Sequence, residues 1–245
     1  MSRIISSLGH SFVLARGERF GTNPFFDKVI YVKRGFLVQA LLNPGSHTPF
    51  MMFMAGPGSL AAMSSAISSV DNLPRKLWAG TSCELLSISP EILLRLADVE
   101  PAWGEDLLSY GVRLAVSERI GMMVTQVADF DRRCGVFLWA VYCAGEPSAA
   151  SKLASSATWL PLLNLPSRKL LMNVISSSRT TVDDVIRRWA ADGMIVRKNH
   201  QLLVRRSFLH EQWQWIRPFL QMQTSLQNMI QPSRRIESVI QNLDG

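Results

Sequence analysis

The 245-residue sequence predicts an α+β fold with a β-rich N-terminal half, a long helix, and a smaller C-terminal unit of helices and a hairpin. Three observations lead to this prediction. Between residues 11 and 60, glycine or proline recurs about every ten residues and separates short runs rich in Val, Tyr and Phe. A stretch without proline then extends from Pro101 to Gly145. Finally, hydroxyl residues at 176–181 introduce an amphipathic, arginine-bearing segment.

The composition indicates a folded globular chain, since 47% of residues are hydrophobic and 18% are charged. The net charge of +7 and the isoelectric point of about 9.8 are compatible with a polyanionic partner, but they do not identify one. The sequence contains no nucleophile–base pair, paired carboxylates or phosphate-binding loop typical of catalysis. We therefore expect a protein that is not an enzyme.

Cysteine and histidine usage predicts a reduced, cytoplasmic protein without a metal site. No CxxC pair occurs, and no histidines have metal-ligand spacing. The first residues lack the layout of a signal peptide, and the apolar runs are too short to span a bilayer. We expect no membrane partner. The residues concerned are Cys83, Cys134 and Cys143, with His10, His47, His200 and His210.

Strands are predicted for the runs "VIYVKRGFLVQALL", "PFMMFMA", "RKLWAG" and "CELLSIS", because their lengths and aromatic or β-branched content suit strands better than helices. Together they predict a compact all-β unit with tight turns. The segment "GSLAAMSSAISSVDN" interrupts this unit. Its small residues predict either a short helix or a loop over a pocket.

Two helices are predicted after the β-unit. Ser89 is the expected N-cap of the first, with Pro90 at its first position and Glu91 in its first turn. The second is long and carries a seam with alternating steps of four and three residues, which is typical of helix pairing. An ordinary buried helix face is the alternative, but the polar residues on the seam favour a dimer helix. The seam comprises Leu108, Val112, Ala115, Arg119, Met122 and Gln126.

The C-terminal unit is predicted to be a winged helix-turn-helix. Residues 145–166 read as a linker and a strand, and "RKLLMNVI" as a short helix. The run "MIVRKNHQLLVRR" predicts two strands around a basic turn. Helix, turn, second helix over 179–191 and basic hairpin complete the motif. The inward positions of the short helix are Leu170, Leu171 and Val174.

The helix over 179–191 is the candidate DNA-reading element, and a solvated amphipathic surface helix is its alternative. Arginine at the start of such a helix can bond a guanine edge through two atoms. Ser178, Thr181 and the free N–H groups beside them can hold phosphates. The apolar face comprises Val182, Val185, Ile186 and Trp189. The outward face comprises Arg179, Thr180, Asp183, Asp184 and Arg187.

A further helical segment follows Arg206, with Leu209, Trp213, Ile216 and Leu220 at helical spacing. Pro218 is expected to break or kink it. We expect this segment to pack on the DNA-binding unit and protect its core; a separate ligand or partner site is the alternative.

The run Ser178-Arg179-Thr180-Thr181-Val182 resembles the Ser-Arg-Glu-Thr-Val signature of the Crp–Fnr transcription regulators. Upstream, "FVLARGERF", "VIYVKRGFLVQALL" and "SCELLSIS" resemble successive strands of that family's sensor β-roll. The resemblance covers roughly residues 10–206. It implies a cupin-like β-roll sensor domain over 1–104, a dimerisation helix over 105–128, a winged helix-turn-helix domain over 129–207, and a C-terminal helical extension over 208–245.

The resemblance implies a dimeric bacterial regulator that binds double-stranded DNA at a pseudo-palindromic operator, as an activator or a repressor, with RNA polymerase as a candidate partner. Arg179 matches the family's guanine-contacting arginine. Thr180 and Asp184 replace family base-reading residues, so the preferred half-site should differ. By position, we expect backbone contacts from Arg187, Arg188, Arg197 and Lys198.

The sensor positions depart from the cyclic-AMP-binding members. A Gly-Glu pair for the ribose falls here at Ala62-Met63, and an Arg-Ser pair for the phosphate at Leu73-Pro74. A small register shift would place Arg75-Lys76 there instead. The positions that meet adenine correspond to Glu118 and Arg119. We therefore expect no regulation by cyclic nucleotide, and no cofactor is predicted.

The sequence is also compatible with other sensors and other roles. An iron–sulfur sensor is not expected, since no cysteine precedes Cys83. The main alternative is a regulator-like module that binds protein, or an anti-activator, without direct DNA readout. A third class is an enzyme- or transporter-associated cyclic-nucleotide sensor, which the missing phosphate arginine disfavours. The effector and the target genes are not specified by the sequence.

Overall fold

The structure is a computed structural model that describes residues 8–20, 27–43, 45, 49–67, 75–145, 152–153, 155–162, 167–175, 177–199 and 201–230. The strands predicted in the N-terminal half are present. Within the described ranges that half contains β1 His10–Leu14, β2 Arg19–Phe20, β3 Val29–Arg34, β4 Leu37–Leu42, β5 Pro49–Ala55, β6 Leu60–Ala61, β7 Arg75–Ala79 and β8 Cys83–Ile88.

These strands form two antiparallel four-stranded sheets, with the orders β1-β8-β3-β6 and β2-β7-β4-β5. The chain crosses from one sheet to the other between β3 and β4 and between β7 and β8, whereas β4 and β5 pair as neighbours within the second sheet. Gly35 makes the first of these crossings at a φ of +80°. A Cβ there would lie 2.4 Å from the Ser82 carbonyl oxygen, so the crossing requires glycine.

The second sheet is buried on both faces. Leu37, Leu77 and Ala79 point into the interior between the sheets. Val38 and Trp78, which alternate with them, point outward into a second apolar cluster shared with the C-terminal helices. This outer cluster explains why β4, "LVQALL", is apolar on both sides.

The helices follow the predicted order, and the short segment after β6 is a helix. They are α1 Met63–Ile67, α2 Pro90–Val99, α3 Pro101–Val127, α4 Phe130–Gly145, α5 Arg168–Ile175, α6 Arg179–Ala191 and α7 Arg206–Ile230. None within the described residues is long and apolar enough to cross a membrane.

Two proline positions bear on the helices. The long helix α3 begins at Pro101, and proline is well suited to the first turn of a helix. Of the break or kink expected at Pro218, the break is absent, because Pro218 lies inside one continuous helix α7. The side chains of Val174 and Leu220 lie outside the described residues.

The winged unit consists of α5, α6 and three strands, β9 Trp159–Leu162, β10 Ile195–Lys198 and β11 Gln201–Arg205. The strands form one sheet in the order β10-β11-β9. The hairpin between β10 and β11 is the predicted basic wing, and Asn199 adopts a φ of +49° in its turn.

Helix α4 joins the two halves of the molecule. Phe137, Leu138 and Val141 are buried in a cluster that also contains Val38 of β4 and Val182 of α6. At each such position, burial contributes about 1.5–3 kcal/mol. The β-roll, which is formed by the two N-terminal sheets, therefore shares an apolar cluster with the winged unit through the outer face of its second sheet.

Helix α3 is attached to the β-roll by apolar and polar contacts. Trp103 and Leu107 are buried against the first sheet. The Tyr110 hydroxyl accepts a bond from the Leu60 N–H at 2.7 Å and donates one to the Leu60 carbonyl at 2.8 Å. Both bonds fasten the middle of α3 to β6.

A buried charge also links α3 to the β-roll. Arg75 shares the inward face of β7 with Leu77 and Ala79, and only 2% of the residue is exposed. Burial lowers the pKa of its guanidinium, and the negative charge of Glu118 on α3 opposes part of this change. Because arginine remains protonated in proteins, Glu118 stabilises a charge that has little access to water.

We expect Glu118→Gln to lower the free energy of unfolding by about 3 kcal/mol, because it leaves the buried Arg75 charge without its neutralising carboxylate. Urea unfolding followed by tryptophan fluorescence measures this change. The control is Glu105→Gln on the exposed side of the same helix, with an expected change of about 0.5 kcal/mol or less. Equal stabilities of the two variants would contradict the role given to Glu118.

Candidate nucleic-acid interface and effector region

The start of α6 is fixed by a local cap. Ser178 is the N-cap, and its Oγ accepts a bond from the Thr181 N–H at 3.1 Å. The two hydroxyls of these residues also lie 2.8 Å apart. The cap satisfies the third N–H of the helix, so the N–H groups of Arg179 and Thr180 are the ones left for an anion such as a DNA phosphate.

The faces of α6 match the prediction, with one difference. Val182, Val185 and Trp189 are buried, and the Trp189 ring meets Phe208 edge-on at 4.9 Å. Ile186 is half-buried against them. The helix is therefore packed along one side and presents the other to solvent. Exposed on that other side are Arg179, Thr180, Thr181, Asp184 and Arg187.

Asp183 is the difference, because its side chain is only 24% exposed instead of pointing away from the protein. One carboxylate oxygen lies 3.1 Å from Nε of Arg168 on α5, and the other lies 3.7 Å from Nε of Arg179. The carboxylate thus joins the two helices of the helix-turn-helix. It also restrains Arg179 at the helix start, while the Arg179 side chain stays 72% exposed.

The remaining cations fall into two groups. Arg187 pairs with Asp184 at 2.9 Å, and Arg188 turns back towards α4, where it pairs with Asp131. Arg197 and Lys198 are exposed on the wing. Exposed ion pairs such as those of Arg187 and Arg188 stabilise a protein by about 1 kcal/mol or less. A phosphate or a guanine can therefore displace these carboxylates at little cost.

The predicted seam of α3 is an exposed stripe. All six of its residues, at 108, 112, 115, 119, 122 and 126, are exposed. The apolar members are exposed to a large extent: Leu108 by 71%, Val112 by 44% and Met122 by 41%. The buried positions of the helix, such as Leu107, Leu114 and Val124, lie on other sides of it. Helix α3 therefore carries an apolar surface in addition to the one that packs on its own chain.

The structure brings together some of the predicted effector residues. Arg75 lies inside the β-roll, near Glu118, whereas Lys76 lies on the opposite face of β7. Arg119 is exposed on the stripe, so it does not join Glu118 in the same chain. Leu73 and Pro74 lie outside the described residues.

The ribose positions of the family have a different environment here. Ala62 is buried and adopts a φ of +59°, and Met63 is half-buried with the cluster around Trp103. The Ala62 N–H donates to Oε1 of Gln39 at 3.0 Å. A side chain of the protein therefore uses the backbone donor at this position.

Sequence reasoning did not identify Gln39, Tyr110, Asp131 or Arg168. Gln39 did carry a signal, because it is a single amide within the apolar run "FLVQALL". It is 3% exposed and bonds across to Ala62. The ion-pair partners of Asp131 and Arg168 are 57 and 15 residues away along the chain, and no local pattern connects them. Among the described residues, no cluster of His, Cys, Asp and Glu could hold a metal ion.

No protein-family model and no curated protein matches the sequence. Solved structures do match the fold. FixK2 from Bradyrhizobium japonicum has a TM-score of 0.60 at 16% identity, over 83% of this chain and 96% of that one. The c-di-GMP responsive global regulator CLP from Xanthomonas campestris has a TM-score of 0.57 at 18% identity, over 83% and 97%.

A putative transcriptional regulator of the Crp/Fnr family from Eubacterium rectale has a TM-score of 0.55 at 13% identity, over 86% of this chain and 92% of that one. These matches span the β-roll, the long helix and the winged unit together, since they cover more than four-fifths of both chains. The chain therefore has the fold of the Crp/Fnr transcription regulators.

Proposed function

We propose that this protein is a sequence-specific DNA-binding transcription regulator of the Crp/Fnr type that acts as a homodimer in the bacterial cytoplasm. One observation carries the proposal: α6 begins with a capped turn that exposes Arg179, and its opposite side is buried in the winged unit. A capped helix start with an exposed guanidinium suits entry into the major groove. The structural neighbours support this function at the level of the fold.

In this proposal each predicted DNA-binding residue contacts either a base or a phosphate. Arg179 reads a guanine, and Thr180 and Asp184 contact neighbouring bases, where a carboxylate can accept a bond from cytosine. Phosphates are held by two groups of residues, namely Ser178 and Thr181 at the helix start and Arg187, Arg188, Arg197 and Lys198 further on. Arg188 forms an ion pair with Asp131, and this pair has to break before Arg188 can bind a phosphate.

The dimer places two copies of α6 side by side. The stripe on α3 is the proposed interface, because pairing would remove Leu108, Val112 and Met122 from water. Two recognition helices then fit a pseudo-palindromic site whose half-sites are about 34 Å apart. The domain limits at residues 104, 128 and 207, and RNA polymerase as a partner, belong to the same proposal, and no catalytic role is assigned.

The second candidate function is protein binding or anti-activation without DNA readout. The observation that favours it is the acidic content of α6, where Asp183 and Asp184 each pair with an arginine of the same helix. Carboxylates on that face oppose a phosphate backbone. A DNA titration separates the two functions.

We expect Val112→Glu combined with Ala115→Glu to yield monomers, because four carboxylates would face one another in the dimer. Light scattering at several concentrations measures the state of association. Ser109→Glu adds one charge to an exposed position off the stripe, and this control should remain dimeric. A dimeric double variant would place the interface elsewhere.

We expect Arg179→Ala to lose about 1–3 kcal/mol of discrimination at one base pair, since a bidentate contact to guanine is removed. Lys198→Ala should keep the sequence preference and lower the slope of log affinity against log salt by about 1. Competition binding on a selected genomic fragment measures both effects. Arg95→Ala, an exposed arginine on α2, is the control for charge alone. Full discrimination by Arg179→Ala, or no enriched fragment at low salt, would favour the protein-binding function.

We expect no saturable binding of cyclic AMP or cyclic GMP. The negative charge of Glu118 already acts on Arg75, and the Ala62 N–H is already bonded to Gln39, so the phosphate would meet a nearby carboxylate and the nucleotide would have to displace Gln39. Isothermal calorimetry on the dimer tests this. A binding isotherm that shows tight, saturable binding of either nucleotide would contradict this prediction and would make the protein a cyclic-nucleotide-binding regulator.

A further inference from the structure

A cavity of about 490 Å³ lies where four parts of the molecule meet, outside the β-roll interior that contains Arg75. Its walls come from β4, β5 and the turn after β5, from the second half of α3, from α4, and from Ile216 of α7. This volume is within the range of about 300–1,000 Å³ that is typical of small-molecule sites. Well-packed contacts between helices and sheets contain few voids larger than a water molecule, so a cavity of this size is unusual.

The lining of the cavity is mostly apolar. Met54, Ile120, Val124, Trp139 and Ala140 are among its wall residues. Cys143 also lines it, and burial raises the pKa of this thiol to about 12, so the thiol is neutral at physiological pH. Such walls favour an apolar body over a polar one.

One cation completes the lining. Arg133 is half-buried at the junction of α3 and α4, and its Nε donates to the Ala128 carbonyl at 2.8 Å. This bond uses one of the five N–H donors of the guanidinium and orients the rest. The ion pairs formed between described residues do not include Arg133. Ser59 and Ser117 supply hydroxyls in the same cavity.

The cavity and the proposed dimer interface lie on different faces of α3. Ser117, Ile120, Gly121 and Val124 line the cavity, whereas Ala115, Arg119, Met122 and Gln126 belong to the exposed stripe. At 3.6 residues per turn, the two sets point about half a turn apart. A dimer formed through the stripe therefore does not use the cavity-lining side of the helix.

We propose that this cavity binds a small amphipathic anion, a molecule with an apolar body and a single carboxylate or sulfonate group that Arg133 receives. The bound molecule would contact the β-roll, the dimer helix α3, α4 and α7 together. Binding would stabilise this docked arrangement by RT ln(1 + L/Kd), where L is the concentration of the free molecule. The role of the molecule as an effector of DNA binding rests on the proposed function, whereas the site itself does not.

The test compares two fluorescent probes with the same aromatic core, the anion 1-anilinonaphthalene-8-sulfonate and the neutral N-phenyl-1-naphthylamine. Titrated into the full-length protein, both should bind saturably at one site per chain, the anion more tightly. Dodecanoate should displace the anionic probe at lower concentration than dodecanol does. A failure of both probes to saturate would overturn the site.

Two variants assign the binding to this cavity. Arg133→Gln should weaken the anionic probe about tenfold and leave the neutral probe unchanged, because a charge-assisted bond is lost but the apolar walls are kept. Ala140→Leu should weaken both probes by filling the space. Arg197→Gln is the matched control, since Arg197 lines a separate cavity of about 580 Å³ beside α6. If Arg197→Gln weakened binding of the anionic probe and Arg133→Gln did not, the assignment to this cavity would be overturned.

The effector role has its own readout. With a DNA fragment that the protein binds, saturating dodecanoate should change the affinity at least about threefold in the parent and not in Arg133→Gln, the size expected for a weak coupling between two sites. Unchanged affinity would overturn the effector role. A protein that binds no DNA would contradict the proposed function and leave the probe titrations valid.

Discussion

The burial of α4 is the constraint on which the rest of the arrangement depends. Phe137, Leu138, Val141 and Tyr142 are each less than 5% exposed and belong to one apolar cluster with residues of the second sheet and of the winged unit. Their burial contributes on the order of 10 kcal/mol, which is comparable to the whole net stability of a typical domain. Separating the β-roll from the winged unit would expose this surface. Changes in the relative position of the two halves therefore have to keep α4 covered.

Helix α7 completes the covering of α4. Trp213 stacks on Trp139 at 5.7 Å, and Ile216 packs with Val124, Ala128 and Val136. Gln212 passes over Gly135, where a Cβ would lie 2.7 Å from Oε1 of the amide. The segment after the wing also packs on the winged unit, as predicted, since Phe208 meets Trp189 of α6, and in addition it reaches the end of α3. That second contact makes α7 a wall of the cavity that we assign to an amphipathic anion.

Electrostatics distinguishes the two candidate sites. In the β-roll a buried guanidinium is already balanced by a carboxylate from α3, so the pocket that a cyclic phosphate would need has its own internal anion. On α6 the carboxylate of Asp184 lies at the surface, where its pair with Arg187 is weak and a phosphate can compete with it. An arginine near a carboxylate therefore behaves differently in the two places. In the interior the carboxylate disfavours the binding of a second anion, and at the surface a phosphate can displace the carboxylate.

The sequence by itself determined the order and type of the elements, the faces of α6 and the stripe on α3, because these follow from local spacing, caps and turn residues. Val182 and Val185 as buried positions could be assigned within one or two helical turns. Only the tertiary structure decided that Arg75 and not Lys76 points inward, that Glu118 and Arg119 serve different faces of α3, and that Asp183 faces Arg168. It also decided that β4, α3, α4 and α7 line one cavity, with Arg133 in its wall. These features depend on which distant segments pack together, and local periodicity carries no information about that choice.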